Sequence, residues 1–351
     1  MLNRKDVNEI NKSRSGLMGI AIIWIVFFHS GLVFPGSVFP FLKEIGYGGV
    51  DIFLFLSGMG IYYSLDKNSN EVFFYKKRIL RILPSYLPVL IAYSLLVFFT
   101  DSFGLEGLVK FFQAFFGNIA FVGAFIGLEY QFNWYVQAIM IFYLCSPLIY
   151  KILNSGTVGK ILLCLFVFAL QVVAFGNNNL HMATSRMFIY IAGMFVAQTS
   201  GNDSGKSKTW MVYFAAGLGV VLLIAAFVFF DKYLWFGLYW YPFFLITPGL
   251  CLCMSKLLMS VNRLKIGECF LWPINILGKC SFGIYLIHIL IFYFVERLHF
   301  QMTQGWWWLY IVISLVLGVL YDIGFNFVFK KIIERRKAKA LVKNSQENLG
   351  E

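Results

Sequence analysis

The chain has 351 residues, of which 60% are hydrophobic, 19% aromatic and only 13% charged, with a mean hydropathy of +0.75. A soluble domain cannot hide that much apolar surface, whereas a bilayer can; at about 20 residues per span there is room for about ten membrane helices and no long hydrophilic stretch for a second, soluble domain. The net charge of +12 does not signal a nucleic-acid partner, because the basic residues sit between apolar runs, as topology signals and contacts to anionic membrane lipids do.

Residues 1–16 are polar and carry Arg4, Lys5, Lys12 and Arg14. The first predicted span runs from Leu17 to Phe34. No small-residue cleavage site follows it, so it reads as a retained helix and not a signal peptide. After a turn with Pro35, Gly36 and Pro40, a second span runs from Gly48 to Leu65 and contains GGVDIFLFLSGMG. A basic loop with Lys67, Lys76, Lys77, Arg78 and Arg81 leads to a third span, Ile82 to Thr100, whose Pro84 and Pro88 are tolerable near a helix start. Within residues 101–133, Phe111 to Leu128 is apolar but Gly-rich and bounded by Glu106 and Glu129. Further spans are expected over Trp134–Leu153, Lys160–Phe175, Arg186–Thr199 and Trp210–Phe230, with NNNLH and SGNDSGKSK as loops. The last three run over Leu234–Lys256, kinked at Pro242 and Pro248, then Cys280–Val295, then Trp306–Phe329 with three tryptophans at its start for an interface belt. Residues 330–351 form a basic tail.

The positive-inside rule decides how 101–133 is placed. If it does not span, ten helices leave both termini cytoplasmic, and only Lys43, Lys110, Arg186, Lys232 and Arg297 of the 29 Lys and Arg lie outside. If it did span, every later loop would invert. The expected architecture is therefore an all-α polytopic membrane protein, with a cytoplasmic segment 1–16, a transmembrane domain 17–329 and a cytoplasmic tail 330–351. The expected location is a cell membrane. The six cysteines fall mostly in apolar segments, and Cys251-x-Cys253 lacks flanking metal ligands, so no metal site is expected.

Few ionisable groups interrupt the spans. His29 is alone between Leu17 and Phe34, and intramembrane ionisable groups are functional hypotheses by default. Met18 and His29 are eleven residues apart, about 1100° of helix, so they share a face roughly 16 Å apart, with Arg14 one turn below Met18. Asp51, in the same half as His29 but on the next helix, is placed to orient its imidazole; the bland alternative is that Asp51 caps its own helix. Arg78 and Arg81, at i and i+3, share a face. With Arg14 they would suit the phosphates of a coenzyme, although ordinary topology charge explains most such clusters. His288 is a second intramembrane histidine, and structural hydrogen bonding accounts for it equally well.

Four stretches resemble the membrane acyltransferase family 3, polytopic bacterial O-acyltransferases that decorate surface glycans. RSGLMGIAIIWIVFFH resembles the family's opening helix, GGVDIFLFLSG its second, FYKKRILRILP its R-x-x-R motif and LGKCSFGIYLIH a late helix; WYVQAIMIFYLCSP, from Trp134, is similar to a further stretch. The resemblance carries His29, Asp51, Ser57, Arg78, Arg81 and His288 over. Two positions depart: Met18 stands where the family has a basic residue, with Arg14 one turn earlier, and Ile139 and Met140 stand where an acidic pair is frequent. The resemblance implies transfer of an acyl group, usually acetyl, from acyl-CoA to a hydroxyl of a glycan or its lipid-linked precursor at a bacterial plasma membrane. Arg14, Arg78 and Arg81 would hold the coenzyme, His29 with Asp51 would be catalytic, and Ser57, His288 and Trp134 would line the cavity. Two rival readings stay open: a glycan or lipid exporter, in which the histidines relay protons, and a sensor or scaffold with lipid-binding arginines.

Overall fold

The structure is a computed structural model describing residues 2–36, 38–101, 103–174, 176–200, 208–229 and 240–347, with side chains described as far as Arg335. Among these residues the regular structure is entirely helical. Its elements are α1 (Arg4–Lys12), α2 (Arg14–His29), α3 (Val38–Glu44), a 3-10 turn (Ile45–Tyr47), α4 (Gly48–Lys67), α5 (Glu71–Asp101), α6 (Gly104–Ile119), α7 (Trp134–Asn154) and α8 (Thr157–Val173). They continue with α9 (Asn178–Thr199), α10 (Thr209–Phe229), α11 (Pro242–Asn262), α12 (Gly267–Lys279), α13 (Ser281–Arg297) and α14 (Gln304–Glu347).

Among the described residues, seven helices are long and apolar enough to cross a membrane: α4 together with α3 and the 3-10 turn leading into it, α5, α7, α9, α10, α11 and α14. The count becomes nine if two bent pairs are each one span, α1 with α2 (62°) and α12 with α13 (70°). The 17-residue α8 is apolar but shorter. The protein is a multi-pass membrane protein. Position in the bundle follows composition. In α4 the apolar window is 89% buried, so this helix is the centre, whereas in α10 and α14 it is 17% buried. Helices apolar on all sides and exposed along their length are the pattern of lipid-facing spans.

Several boundaries correct the sequence reading. The first span ends at His29, not Phe34, and polar residues 4–12 form a helix closed by a capping box between Asn3 and Asp6. The basic loop before the third span is helical, because α5 starts at Glu71; Lys76, Lys77, Arg78 and Arg81 therefore project from a helix, and Pro84 and Pro88 lie well inside it. The NNNLH loop is largely a helix start. Asn177 accepts a hydrogen bond from the Leu180 amide at 3.0 Å, which satisfies one of the four orphan N–H groups of a first turn. As a result α9 begins eight residues before Arg186. α12 went unanticipated, and the basic tail continues α14 as far as Glu347. Residues 201–207 of SGNDSGKSK, Lys232 and the expected helix start at Leu234 lie outside the described residues.

Residues 101–133 contain the 16-residue α6, packed on α5, followed by turns. Asn118 ties these turns down: its side-chain amide donates to the Tyr130 carbonyl at 2.9 Å and its Oδ1 accepts from the Phe132 amide at 2.8 Å. Asn133 then caps α7 through the Val136 amide at 3.0 Å, which fixes Trp134 on the first turn of that helix.

Two helix crossings depend on glycine. α4 and α9 run parallel, and a Cβ on Gly58 would strike the Tyr190 carbonyl while one on Gly193 would strike the Phe55 carbonyl. A Cβ on Gly19 or Gly278 would likewise strike backbone between α2 and α12. Without a hydrophobic drive between helices in lipid, such small-residue approaches are how they pack.

Candidate active site

The α4–α9 crossing sets the first part of the site. Asp51 lies seven residues before Gly58 and Arg186 seven before Gly193, so the two parallel helices bring these side chains together two turns above the contact. Arg186 Nε is 3.7 Å from Asp51 Oδ1, and both residues are 2% exposed. The sequence reading paired Asp51 with His29. Instead its carboxylate faces Arg186, and its Oδ2 has no hydrogen-bond partner among the described residues.

The α2 helix supplies His29 on its last turn. Its Nδ1 is 2.9 Å from the Ile25 carbonyl. A carbonyl only accepts, so this contact assigns the proton to Nδ1 and leaves the Nε2 lone pair free to act as a base. The ring lies 5.1 Å from that of His288 on α13. His288 is fully buried, its Nδ1 is 3.1 Å from the Ile284 carbonyl, and its Nε2 has no partner among the described residues. His288 packs behind His29 and lines neither of the two cavities described next, contrary to the expectation that it would.

One cavity, of about 810 Å³, opens at the Arg14 end of α2. Arg14, Lys67, Lys77, Arg78 and Arg81 line it, with Ser57, Tyr143 and Tyr285. The three arginines anticipated from sequence thus share one space, and Ser57 faces it. Arg14 donates to the Leu56 carbonyl at 2.8 Å, which holds its guanidinium against α4. Met18 lines the same cavity one turn along, so both positions border one space. Arg78 is 7% exposed and lies over the Phe74 and Tyr143 rings, at 5.3 and 5.7 Å. Its Nε is buried without a partner among the described residues. The Tyr143 hydroxyl is 3.3 Å from Ser57 Oγ.

A second, smaller cavity of about 190 Å³ opens at the His29 end. His29, Glu44, Tyr47, Trp134, Arg186 and Trp240 line it, and so does Tyr285. Tyr285 therefore borders both cavities, and its ring packs edge-on against Tyr135 at 4.9 Å and His288 at 5.2 Å. The arrangement is a basic chamber and an aromatic chamber on either side of Tyr285, with an imidazole at the boundary of the second. Trp134 lines the aromatic chamber and sits 5.2 Å from the Arg186 guanidinium.

In the sequence Arg186 reads as an outer-side charge at a helix start, which hides its role. A signal was nevertheless present. It is the only charge in MATSRMFIYIAGMF, and it precedes the contact glycine Gly193 by two turns.

No curated protein and no solved structure matches this chain. The family model described as an acyltransferase domain, of the acyltransferase 3 type, matches residues 15–323, from the first turn of α2 into α14. That match covers the aromatic chamber and all of the basic chamber's lining except Asn11 and Arg14, which lie just before it. The chain belongs to the acyltransferase 3 family of membrane acyltransferases.

Proposed function

We propose that the protein is an integral membrane O-acyltransferase of a bacterial plasma membrane. It takes an acyl group, acetyl in the first instance, from acyl-CoA and transfers it to a hydroxyl of a cell-surface glycan or its lipid-linked precursor. The observation that carries this reading is the five-cation chamber separated by Tyr285 from a second chamber that holds His29. In the orientation we favour, the spans number ten, counting both bent pairs and α8, and both termini are cytoplasmic. The basic chamber then faces the cytosol, where acyl-CoA is made.

The coenzyme's phosphates would be held by Arg14, Arg78 and Arg81, whose guanidinium groups suit bidentate phosphate contacts. Arg78 Nε, buried and unpartnered among the described residues, is a donor in need of such an oxygen. The acyl-bearing arm would run along Tyr285 toward His29. There His29 Nε2 would remove the proton of the acceptor hydroxyl. The hydroxyl oxygen forms the new C–O bond at the thioester carbonyl, the C–S bond breaks, and the thiolate leaves and takes up the proton as free CoA thiol. General-base help of this kind is worth about 10² to 10⁴-fold. Asp51 contributes through Arg186 and not through His29.

The test is labelled acetyl-CoA incubated with membranes carrying wild-type or His29→Ala protein, with label followed into glycan. Label transferred only by wild type supports the reading. Equal transfer by His29→Ala removes the base from His29, and a wild type that moves glycan without consuming acyl-CoA favours an exporter.

A further inference from the structure

We propose that the aromatic chamber is the acceptor subsite and that it takes an uncharged sugar ring. Arg186 would recognise it between Trp134 and Trp240, with Asp51 as the positioning residue that cancels the charge of Arg186. The proposal rests on the acyltransferase reading above and adds to it the residues and the charge class of the acceptor.

Arg186 carries five N–H donors. Among the described residues it makes one hydrogen bond, from Nη1 to the Met182 carbonyl at 3.1 Å, and its Nε has no partner. Asp51, at 3.7 Å, lies beyond hydrogen-bond range. A buried cation with spare donors is costly unless something polar fills them. The chamber is where that something can sit, because Arg186 lines it.

The walls indicate what fits. The guanidinium lies 5.1 Å from Trp240, 5.2 Å from Trp134 and 5.8 Å from Tyr47. Aromatic faces carry negative charge density, which suits the weakly positive C–H face of a pyranose, while ring hydroxyls accept from the free guanidinium N–H groups. The volume of about 190 Å³ corresponds to about six waters at ~30 Å³ each. That admits one sugar residue and leaves the rest of a glycan outside. Charge decides the class. Arg186 is neutralised by Asp51 at 3.7 Å. Among the described residues a uronate or phosphate would therefore meet no uncompensated charge on Arg186, whereas a hydroxyl needs only the directional donors. His29 in the same wall puts the base beside the ring.

The test is saturation-transfer NMR on the full chain in nanodiscs of uncharged lipid. The probes are methyl β-glucoside, methyl β-galactoside and methyl α-mannoside, with methyl β-glucuronide as the anionic comparator. Wild type is expected to bind at least one hexoside and not the glucuronide. Arg186→Gln and Trp240→Leu should each weaken hexoside binding tenfold or more while acetyl-CoA affinity stays within twofold. Asp51→Asn should admit the glucuronide, a gain that a merely structural role would not produce. If Asp51→Asn fails to fold, the Asp51→Asn, Arg186→Gln double variant removes both charges, and the Trp240→Leu arm decides. Glucuronide binding to wild type as well as the hexosides, unchanged hexoside binding in Arg186→Gln and Trp240→Leu, or no hexoside binding in a protein that acetylates glycan would each overturn the proposal. A wild type that never releases CoA from acetyl-CoA sinks the acyltransferase reading instead, and the sugar-binding arms report on the chamber independently.

Discussion

Gly193→Ala adds one methyl group far from His29, and the structure predicts that it damages the site. The new Cβ would overlap the Phe55 carbonyl, a backbone atom that cannot swing aside. Carbon and carbonyl oxygen do not approach closer than about 3.3 Å in favourable contacts, so α9 must move away from α4 by roughly 1 Å. Overpacking of this kind costs about 1–3 kcal/mol. The displacement falls on the Asp51–Arg186 pair, which starts at 3.7 Å, and carries Arg186 away from Trp134. A misplacement of about 1 Å can cost about 10²-fold in rate. The assay is acetyl transfer to glycan by membranes matched for protein amount, beside a thermal scan of detergent-solubilised protein. We expect a lowered Tm and a transfer rate reduced by more than the Tm loss explains, with acetyl-CoA affinity retained because the basic chamber is built mainly on α2, α4 and α5. Wild-type turnover and wild-type Tm together would refute the claim that the glycine contact sets the register of the site.

Arg78→Gln should raise the KM for acetyl-CoA by roughly 10- to 100-fold, since a hydrogen bond to a charged group is worth about 1.5–3 kcal/mol. Arg81→Gln should cost less, and its effect should shrink as salt rises, because Arg81 is exposed and exposed charges are screened over about 10 Å at 0.1 M. Steady-state kinetics at two ionic strengths separates the two; equal and salt-independent effects would contradict the difference in burial. Asn177→Ala removes the cap of α9 and the donor to the Phe125 carbonyl at 2.8 Å, so stability should fall by about 1–2 kcal/mol. An unchanged Tm would show that the α9 start is held by other contacts.

What the sequence showed and what it hid follow from the kind of information each residue carries. The basic chamber was legible: Arg14, Arg78 and Arg81 each sit at one end of an apolar run, and i,i+3 spacing puts the last two on one face, so their convergence needed only a bundle. Motif likeness singled out Trp134 and Ser57, which line different cavities. The partner of Asp51 was not. Periodicity says which face of α4 Asp51 occupies, but not whether α2 or α9 meets that face. The deciding feature was a glycine contact two turns away on each helix. The start of α9 was hidden because Asn177 reads as a loop residue and a helix cap alike. α12 was hidden because its 13 residues, with Pro273 inside, fall short of a span, and it is held mainly by packing on α2 through Gly278.

The most direct test of the account uses sealed, oriented vesicles with labelled acetyl-CoA supplied only on the side of the Arg78 chamber and glycan acceptor only on the side of the Trp134 chamber. The account predicts that label appears on the acceptor with wild-type protein and not with His29→Ala, while free CoA accumulates on the Arg78 side. Acceptor labelled only when acetyl-CoA is present on its own side, or labelled equally by His29→Ala, would contradict it.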